Sequence, residues 1–214
     1  MRNLRHVLAS GIAGLLLLFN LGGAYAADCT PATTPNVTGV IANSQLEVLQ
    51  QICAKGYSAS VSFNRPADTS AYTAGDVEGP ATGSTAALEF DNIGPAGGGE
   101  VIITSAALEI DISAIPSGMT SYRLYLYSVT PPSALGDNAA WDLPSGDRAS
   151  FTGQYIDLGT PVDLGSTLLV KTDGINAQIT VPAGGKLFGY LVTNGGYTPA
   201  SATTRKITLH GTGL

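Results

Sequence analysis

The segment "YRLYLYSV" (122–129) alternates along its length with the two-residue period of a β-strand. One face is apolar and is predicted to lie in a hydrophobic core: Tyr122, Leu124 and Leu126. The other face is an amphipathic tyrosine surface: Arg123, Tyr125 and Tyr127. Such surfaces occur at protein interfaces and on carbohydrate platforms alike, so both uses stay open at this stage.

Short segments of the same kind, broken by Gly, Pro, Asn and Asp, continue from residue 57 to the C-terminus. Helical patterns do not alternate with them, which excludes parallel βαβ units and favours an all-β, antiparallel two-sheet β-sandwich. Eight or nine strands make a jelly roll the expected variant. The predicted strands are 57–63, 85–90, 100–112, 122–129, 153–158, 167–171, 177–181, 186–193 and 205–210.

Three segments precede this β-sandwich domain (57–214). Residues 1–26 have the charged, apolar and small-residue order of a secretory signal peptide, and the apolar run is short for a membrane span. We therefore expect cleavage after Ala26, export, and no membrane insertion of the remaining chain. Residues 27–42 are predicted to be an extended leader, and residues 43–56 are predicted to form one short helix that ends at Gly56.

The charge balance argues against two classes of partner. Only 12% of the residues are charged, and loss of Arg2 and Arg5 with the signal segment leaves eight basic against sixteen acidic residues, a net charge of −8. Such a surface repels phosphate backbones and anionic lipid. Nucleic acid and membrane surfaces are therefore poor candidate partners.

The two cysteines, Cys29 and Cys53, are predicted to form a disulfide in an exported protein. Closing a loop of that length would stabilise the fold by roughly 3 kcal/mol on the chain-entropy model. Two free thiols or an intermolecular bridge remain the alternatives.

Candidate catalytic residues are few. A Ser-His-acid site would have to use His210 at the end of a predicted strand, and no G-x-S-x-G elbow is present. Two carboxylate pairs have a spacing that puts both side chains on one face of a strand, as glycoside hydrolysis would need: Glu89 with Asp91, and Glu109 with Asp111. The alternation favours the interpretation that both pairs are outward polar positions. We predict no enzyme activity, no catalytic residue and no cofactor.

Two loops invite a ligand. "GPAGGGEV" (94–101) is glycine-rich, but no Lys-Ser/Thr follows it and a strand comes next, so a hairpin or a crossing at the sheet edge is favoured over a phosphate loop. The loop after the tyrosine strand holds oxygen ligands that calcium could use, although their spacing is not that of an EF-hand: Asp137, Asn138, Asp142 and Asp147. We predict instead that Pro131 and Pro132 end the strand, that Asp137 and Asn138 form a turn, and that Trp141 closes the end of the core.

The order of these segments resembles a family of small tailed-phage virion proteins, the jelly-roll head-decoration (capsid cement) proteins. The resemblance is carried by residues 60–81 ("SVSFNRPADTSAYTAGDVEGPA"), "LEF" (88–90), the glycines at 97–99, "YRLYLYSVTPP" (122–132) and "DNAAW" (137–141). It covers residues 44–214, and its matching positions are 75–77 and 137–140. It implies a location in the virion, contacts with other virion proteins, self-association with a trimer favoured, and no catalytic residue.

Virion and export are different destinations. Phage particles assemble in the cytoplasm, so a chain start near Val37 or Val40 would fit the resemblance, whereas use of residues 1–26 would make the protein an exported surface protein. The alternative hypothesis is therefore an exported carbohydrate-binding or surface-adhesion module. Its platform, or the corresponding protein interface, would consist of Arg123, Tyr125, Tyr127, Asp137, Asn138 and Trp141.

Overall fold

The computed structural model describes residues 55–82 and 86–214. The predicted signal peptide, leader, disulfide and all but the last two residues of the predicted helix lie outside these ranges. Gly56, predicted to end that helix, instead begins the first strand. Within the described ranges, no helix has the length and apolar character needed to cross a membrane.

The described chain is all-β, as the sequence predicts. Eight strands contain three or more residues, and two are two-residue strands that the sequence did not predict, β2 and β7. The strands are β1 Gly56–Asn64, β2 Val77–Glu78, β3 Leu88–Phe90, β4 Gly99–Ile110, β5 Tyr122–Tyr127, β6 Phe151–Leu158, β7 Val162–Asp163, β8 Leu168–Val181, β9 Leu187–Thr193 and β10 Thr204–Gly213.

The strands form two antiparallel sheets of five. The first sheet has the order β1-β10-β4-β8-β7, and the second has the order β2-β9-β5-β6 with β3 also paired to β9. The chain passes from one sheet to the other at β1–β2, β3–β4, β4–β5, β6–β7, β8–β9 and β9–β10. This alternation, with the last strand lying between the first and β4, is the strand order of a jelly roll.

One predicted turn is part of a strand. The sequence "TDGIN" (172–176) separates two predicted strands, but both belong to the continuous strand β8. Gly174 and Asn176 adopt positive φ angles of 71° and 53°, and the pairing of β4 with β8 shifts register at this point. The turn-forming residues therefore make a β-bulge, which bends the strand without ending it.

The main core lies between the sheets and follows the predicted alternation. Tyr122, Leu124 and Leu126 of β5 are completely buried in it. From the facing sheet, Leu108 and Ile110 of β4 contribute side chains that are also completely buried. The apolar face of the tyrosine strand is thus the core face, as predicted.

Candidate functional site

A second hydrophobic cluster covers the outer face of the second sheet. The connection between β5 and β6 (residues 128–150) contributes Leu135, Trp141 and Leu143 to it. The members that lie on or near the sheet are Val77, Ala86, Ala87, Tyr125, Tyr127, Phe151, Phe188, Tyr190 and Val192. The connection therefore packs against the outer face of a sheet, and Trp141 belongs to this cluster and not to the end of the main core as predicted.

The exposed margin of this cluster carries the candidate site. Trp141 stacks on Tyr125 with ring centroids 3.6 Å apart and an interplanar angle of 11°. Tyr155 of β6 lies next to Tyr125 and keeps 48% of its surface exposed. The guanidinium of Arg123 lies 4.4 Å from the centroid of Tyr155 and forms a 2.6 Å ion pair with Asp157. We call these five residues the aromatic surface.

Hydrogen bonds hold Arg123 in place on this surface. Its Nε donates to Asp157 and its Nη1 donates to the Tyr125 hydroxyl at 3.4 Å, and both contacts raise the pKa of the guanidinium. The side chains of Arg123 and Asp157 are 33% and 60% exposed, so solvent screens the pair and its contribution to stability is small. Its main effect is to orient a charge beside an aromatic ring.

Tyr127, predicted to share the outer surface with Arg123 and Tyr125, is completely buried. The pairing of β5 with β6 shifts register between Tyr125 and Tyr127, and the Tyr127 ring packs against Phe151 and edge-on against Tyr190. Burial raises the pKa of its hydroxyl to about 12. Tyr127 thus lies on the outer face of the second sheet, as predicted, but residues 128–150 cover that part of the face.

Asp137, also predicted to lie on the surface, is buried in an ionic network. Its carboxylate accepts hydrogen bonds from Arg65 (3.1 Å), the Tyr72 hydroxyl (2.6 Å) and the backbone N–H of Gly79 (2.9 Å). The Nε of Arg65 also donates to Tyr72. These three hydrogen bonds attach the connection 128–150 to residues 65–79. Because the carboxylate is buried and its donors come from the same chain, Asp137 is not part of an exposed contact surface.

A second half of the network joins the two sheets. Glu78 of β2 pairs with Arg205 of β10 at 2.6 Å and accepts a 2.8 Å hydrogen bond from Tyr197. Tyr122 donates in turn to Tyr197 at 3.1 Å. Burial, and secondarily the charge of Glu78, raises the pKa of both tyrosines. Two arginines and two carboxylates thus balance in the interior, where unpaired charges would be costly.

Sequence reasoning did not identify this network, although one signal was present. The alternation that directs Ile207 and Leu209 into the core also directs Arg205 inward, and all three are buried. A charged residue on the core face of a strand calls for a buried partner. Arg65, Glu78 and Tyr72 lie in short or irregular segments whose facing cannot be read from periodicity.

Asn138 forms a turn, as its predicted role required. It has a positive φ of 62°, and its N–H donates to the carbonyl of Val77 at 2.8 Å. The neighbouring Trp141 N–H donates to the carbonyl of Gly75 at 2.8 Å. Residues 75–77 and 137–140, the matching positions of the family resemblance, are therefore in direct contact.

The candidate catalytic carboxylates form surface ion pairs. Lys186 pairs with both Glu89 and Asp91, the latter at 2.8 Å, and these contacts raise the pKa of the lysine. Glu109 pairs with Lys206 at 3.1 Å. His210 is exposed on β10, where its carbonyl accepts from Thr104. None of these contacts joins a carboxylate to a second acid or to the histidine.

The two candidate ligand loops have structural roles. Residues 91–98 carry the chain from the second sheet to the first, and the N–H of Gly184 donates to Ala96 (2.8 Å) across this turn. Asp147 is buried and accepts from the N–H of Ser133 (3.0 Å), whereas Asp142 is exposed. In the part of the chain that the structure describes, no three His, Cys, Asp or Glu side chains converge as metal ligands would.

A cleft of about 300 Å³ lies beside the start of β1, away from the aromatic surface. Among the described residues that line it, Lys55 is the one that is charged, and the others are Gly56, Tyr57, Ser58, Asn92, Gly94, Ala96 and Gly184. A single lysine without an acid or base partner offers no acid–base pair for catalysis.

The geometry weighs against a sugar platform. Sugar rings stack on open aromatic faces, but one face of Tyr125 is covered by Trp141, and Arg123 lies over the ring of Tyr155. What remains exposed is a tyrosine with an oriented arginine and carboxylate. Tyrosine and arginine are the residues most often found at the energetic centres of protein interfaces.

No protein-family model matches this sequence, and neither does any curated protein. Among solved structures, tomato aspermy virus aligns over 93% of this chain and 93% of its own, with 11% identity and a TM-score of 0.28. The capsid of cyanophage Pam1 aligns over 86% of this chain and 99% of its own, with 16% identity and a TM-score of 0.28. A family two carbohydrate esterase from Cellvibrio japonicus aligns over 68% and 36%, with 14% identity and a TM-score of 0.14. These TM-scores are too low to establish a shared fold, so the jelly-roll assignment rests on strand order.

Proposed function

We propose that this protein is a non-enzymatic structural protein of a tailed-phage particle, which decorates the head through protein–protein contacts. The observation that carries the proposal is the aromatic surface, where the half-exposed Tyr155 and the partly exposed Arg123 are positioned by Asp157 and by the Tyr125–Trp141 stack. Residues ordered before binding lose little conformational entropy on association, so such a surface suits a permanent contact.

The resemblance of residues 44–214 to head-decoration proteins supplies the partner class. Its matching positions, 75–77 and 137–140, meet beside the second cluster, which supports the aromatic surface. The surface and the resemblance therefore involve the same region of the fold. Other copies of this chain and the major head protein are the partners that the resemblance implies, with a trimer as the favoured oligomer.

A virion role makes a prediction about the N-terminus. A protein that assembles in the cytoplasm is not cleaved after Ala26. Its chain would begin at Met1 or at a later start near Val37 or Val40, whereas an exported protein would begin at Ala27. The mass of the N-terminal peptide of the natural protein distinguishes them. A natural chain that begins at Ala27 would contradict the virion proposal and favour the exported surface-adhesion alternative.

Binding to particles tests the contact surface directly. We expect the full-length protein to co-sediment with heads of the phage or prophage whose genome encodes it. Tyr155→Ala should weaken that binding about thirtyfold or more, because tyrosine truncation at an interface centre costs at least ~2 kcal/mol. Arg123→Ala should act in the same direction.

The matched control is Arg148→Ala, which removes an exposed arginine outside the aromatic surface. It should leave co-sedimentation unchanged. Absence of binding by the wild-type protein, or equal loss with the control, would contradict the proposal. Quenching or enhancement of Trp141 fluorescence by a polysaccharide would instead favour the carbohydrate-binding alternative.

A further inference from the structure

The outer edge of β1 has backbone groups that no other described strand pairs with. Strand β1 pairs with β10 along all nine residues without a register shift. The flanking hydrogen bonds, from Gly213 N–H to Lys55 and from Arg65 N–H to Thr203, show that odd-numbered residues bond to β10. The N–H and C=O groups of even-numbered residues therefore point away from the sheet. These residues are Gly56, Ser58, Ser60, Ser62 and Asn64.

Within the described ranges, the other long edges are protected and β1 is not. The edge strand β6 of the second sheet carries Asp157 and is interrupted by the positive-φ residue Gly153 and by a register shift against β5. The edge formed by β8 carries Lys171 and Asp173 and is bent by the positive-φ residues Gly174 and Asn176. Charges and bulges of this kind are how natural sheets avoid pairing with other chains. Strand β1 has no charge, no proline and no bulge. Its edge is thus suited to accept another strand.

The sequence of β1 is close to self-complementary about Ser60. In "GYSASVSFN" (56–64), serines lie two positions away on each side of Ser60, Ala59 and Val61 lie one position away, and Tyr57 and Phe63 lie three away. An antiparallel pair related by a twofold axis through Ser60 would place equivalent residue types opposite each other. Such self-matching is what a twofold interface requires.

We propose that the β1 edge is a docking site for β1 of a second copy of this chain, forming one continuous sheet across a twofold axis. Ser60 would then face Ser60 of the other copy, and Ser58 would face Ser62. All of these residues are even-numbered, so the free N–H and C=O groups of each copy meet as hydrogen-bonded pairs. None of the β1 residues that would pair, 56–64, has a charged side chain.

Charge also favours this edge over other surfaces for self-contact. The chain is acidic overall, with a net charge of −6, and two copies repel each other at most approaches. Along β1 they meet without like charges. At its ends the pairing brings Lys55 near Arg65 of the other copy, but Arg65 is buried and compensated within its own subunit by Asp137.

A charge at the centre of the edge tests the pairing in the purified full-length chain, without particles. Ser60→Lys would place two like charges directly opposite each other at the twofold axis, which destabilises a strand pair. Thr208→Lys is the matched control, because Thr208 pairs with Ser60 in β10 and shares its side-chain hydrogen bond, but lies one strand inward. Both variants lose the hydrogen bond between Ser60 and Thr208, but only Ser60→Lys places its charge at the twofold axis.

We expect the wild type and Thr208→Lys to sediment as twofold pairs, either of single chains or of the trimers that the resemblance implies, and Ser60→Lys to need about tenfold higher concentration to pair. Ser60→Pro, which removes an outward N–H while leaving the bonds to β10, should act like Ser60→Lys. A monomeric wild type, or an oligomer of any size that resists both Ser60 variants, would overturn the proposal. This outcome is independent of head binding, so the two proposals can fail separately.

Amide hydrogen exchange identifies the occupant of the edge. With a second copy docked, the amides of Ser58, Ser60 and Ser62 should become protected as protein concentration rises through the dimerisation range. Protection that does not depend on concentration would mean that residues 1–54 of the same chain occupy the edge, and would overturn the proposal. Unprotected amides at all concentrations would do the same.

Discussion

Charged side chains in this interior depend on one another. Asp137 and Arg65 are 6% and 2% exposed and joined at 3.1 Å, whereas the other anions near Arg65 are farther away: Asp68 at 3.5 Å, and Glu78, which already pairs with Arg205, at 4.0 Å. Removing one member of a buried pair leaves a charge that water cannot compensate and that more distant anions compensate only in part. The cost of a substitution here is therefore set mainly by the partner left behind.

Asp137→Asn should lower the free energy of unfolding by about 3–5 kcal/mol, because it leaves Arg65 without its closest anion. Asp157→Asn is the control: it breaks the 2.6 Å pair with Arg123 at the surface and should cost at most about 1 kcal/mol. Urea unfolding followed by circular dichroism measures both. Equal costs for the two variants would show that Asp137 is not buried with Arg65.

Gly118 marks a position where the backbone tolerates only glycine. Its φ is +89°, and a Cβ there would overlap the carbonyl oxygen of Gly196 in the neighbouring loop. Gly118→Ala should therefore destabilise the protein by about 1–3 kcal/mol, since it adds strain in two ways. Gly146→Ala, where a Cβ would meet open space, is the comparison and should change the urea midpoint little.

At the scale of the elements, periodicity predicted which side chains of the strands face the core. It did not predict that the connection 128–150 covers the outer face of the second sheet. The alternation of residues 122–126 and 205–209 fixes which side chains enter the core, because one face of each strand packs on the other sheet. It cannot show that residues 128–150 fold over the outer face, which buries Tyr127 and places Trp141 on Tyr125. Those contacts join residues distant in sequence, so no local pattern records them.

The same limit applies to short strands and bulges. Strands β2 and β7 have two residues each, too few for a period to appear. In β8, the sequence "DGIN" has the composition of a turn, and only its pairing with β4 turns it into a bulge. The Asp137 network depends on this kind of long-range contact as well. The sequence thus predicted Arg123, Tyr125 and Trp141 of the aromatic surface, but not Tyr155 or Asp157, and not the burial of Tyr127 and Asp137.

The packing of residues 128–150 makes a prediction that the single tryptophan can report. Tyr125→Leu removes the ring that stacks on Trp141, so we expect acrylamide to quench the tryptophan more readily while the fold is retained. Tyr155→Leu removes the adjacent ring, which contacts Tyr125 and not Trp141 in the stack, and should leave quenching near the wild-type value. An identical response to both changes would contradict the stacked arrangement.

At the scale of the whole molecule, the buried network and the tyrosines around it connect the two sheets. Glu78 belongs to the second sheet and Arg205 to the first, and their 2.6 Å pair crosses the core. Tyr197 donates to Glu78, and Tyr122 donates to Tyr197, so these side chains lose their hydrogen bonds together when the sheets separate. Unfolding should consequently expose several protonated tyrosines in one step.

This arrangement predicts a steep loss of stability in alkali. Burial raises the pKa of Tyr72, Tyr122, Tyr127 and Tyr197 above the value of 10 that tyrosine has when unfolded, to about 12 for Tyr127. Below pH 10 both states keep these protons and stability does not depend on them. Above pH 10 the unfolded state loses protons that the folded state retains, so the free energy of unfolding falls by up to ~1.4 kcal/mol per pH unit for each tyrosine. Urea midpoints measured from pH 8 to 11.5 should drop above pH 10 together with a cooperative rise in tyrosinate absorbance, and Tyr127→Phe should make the drop shallower by roughly one quarter. A drop that begins below pH 9, or a slope unchanged in Tyr127→Phe, would contradict burial of these hydroxyls.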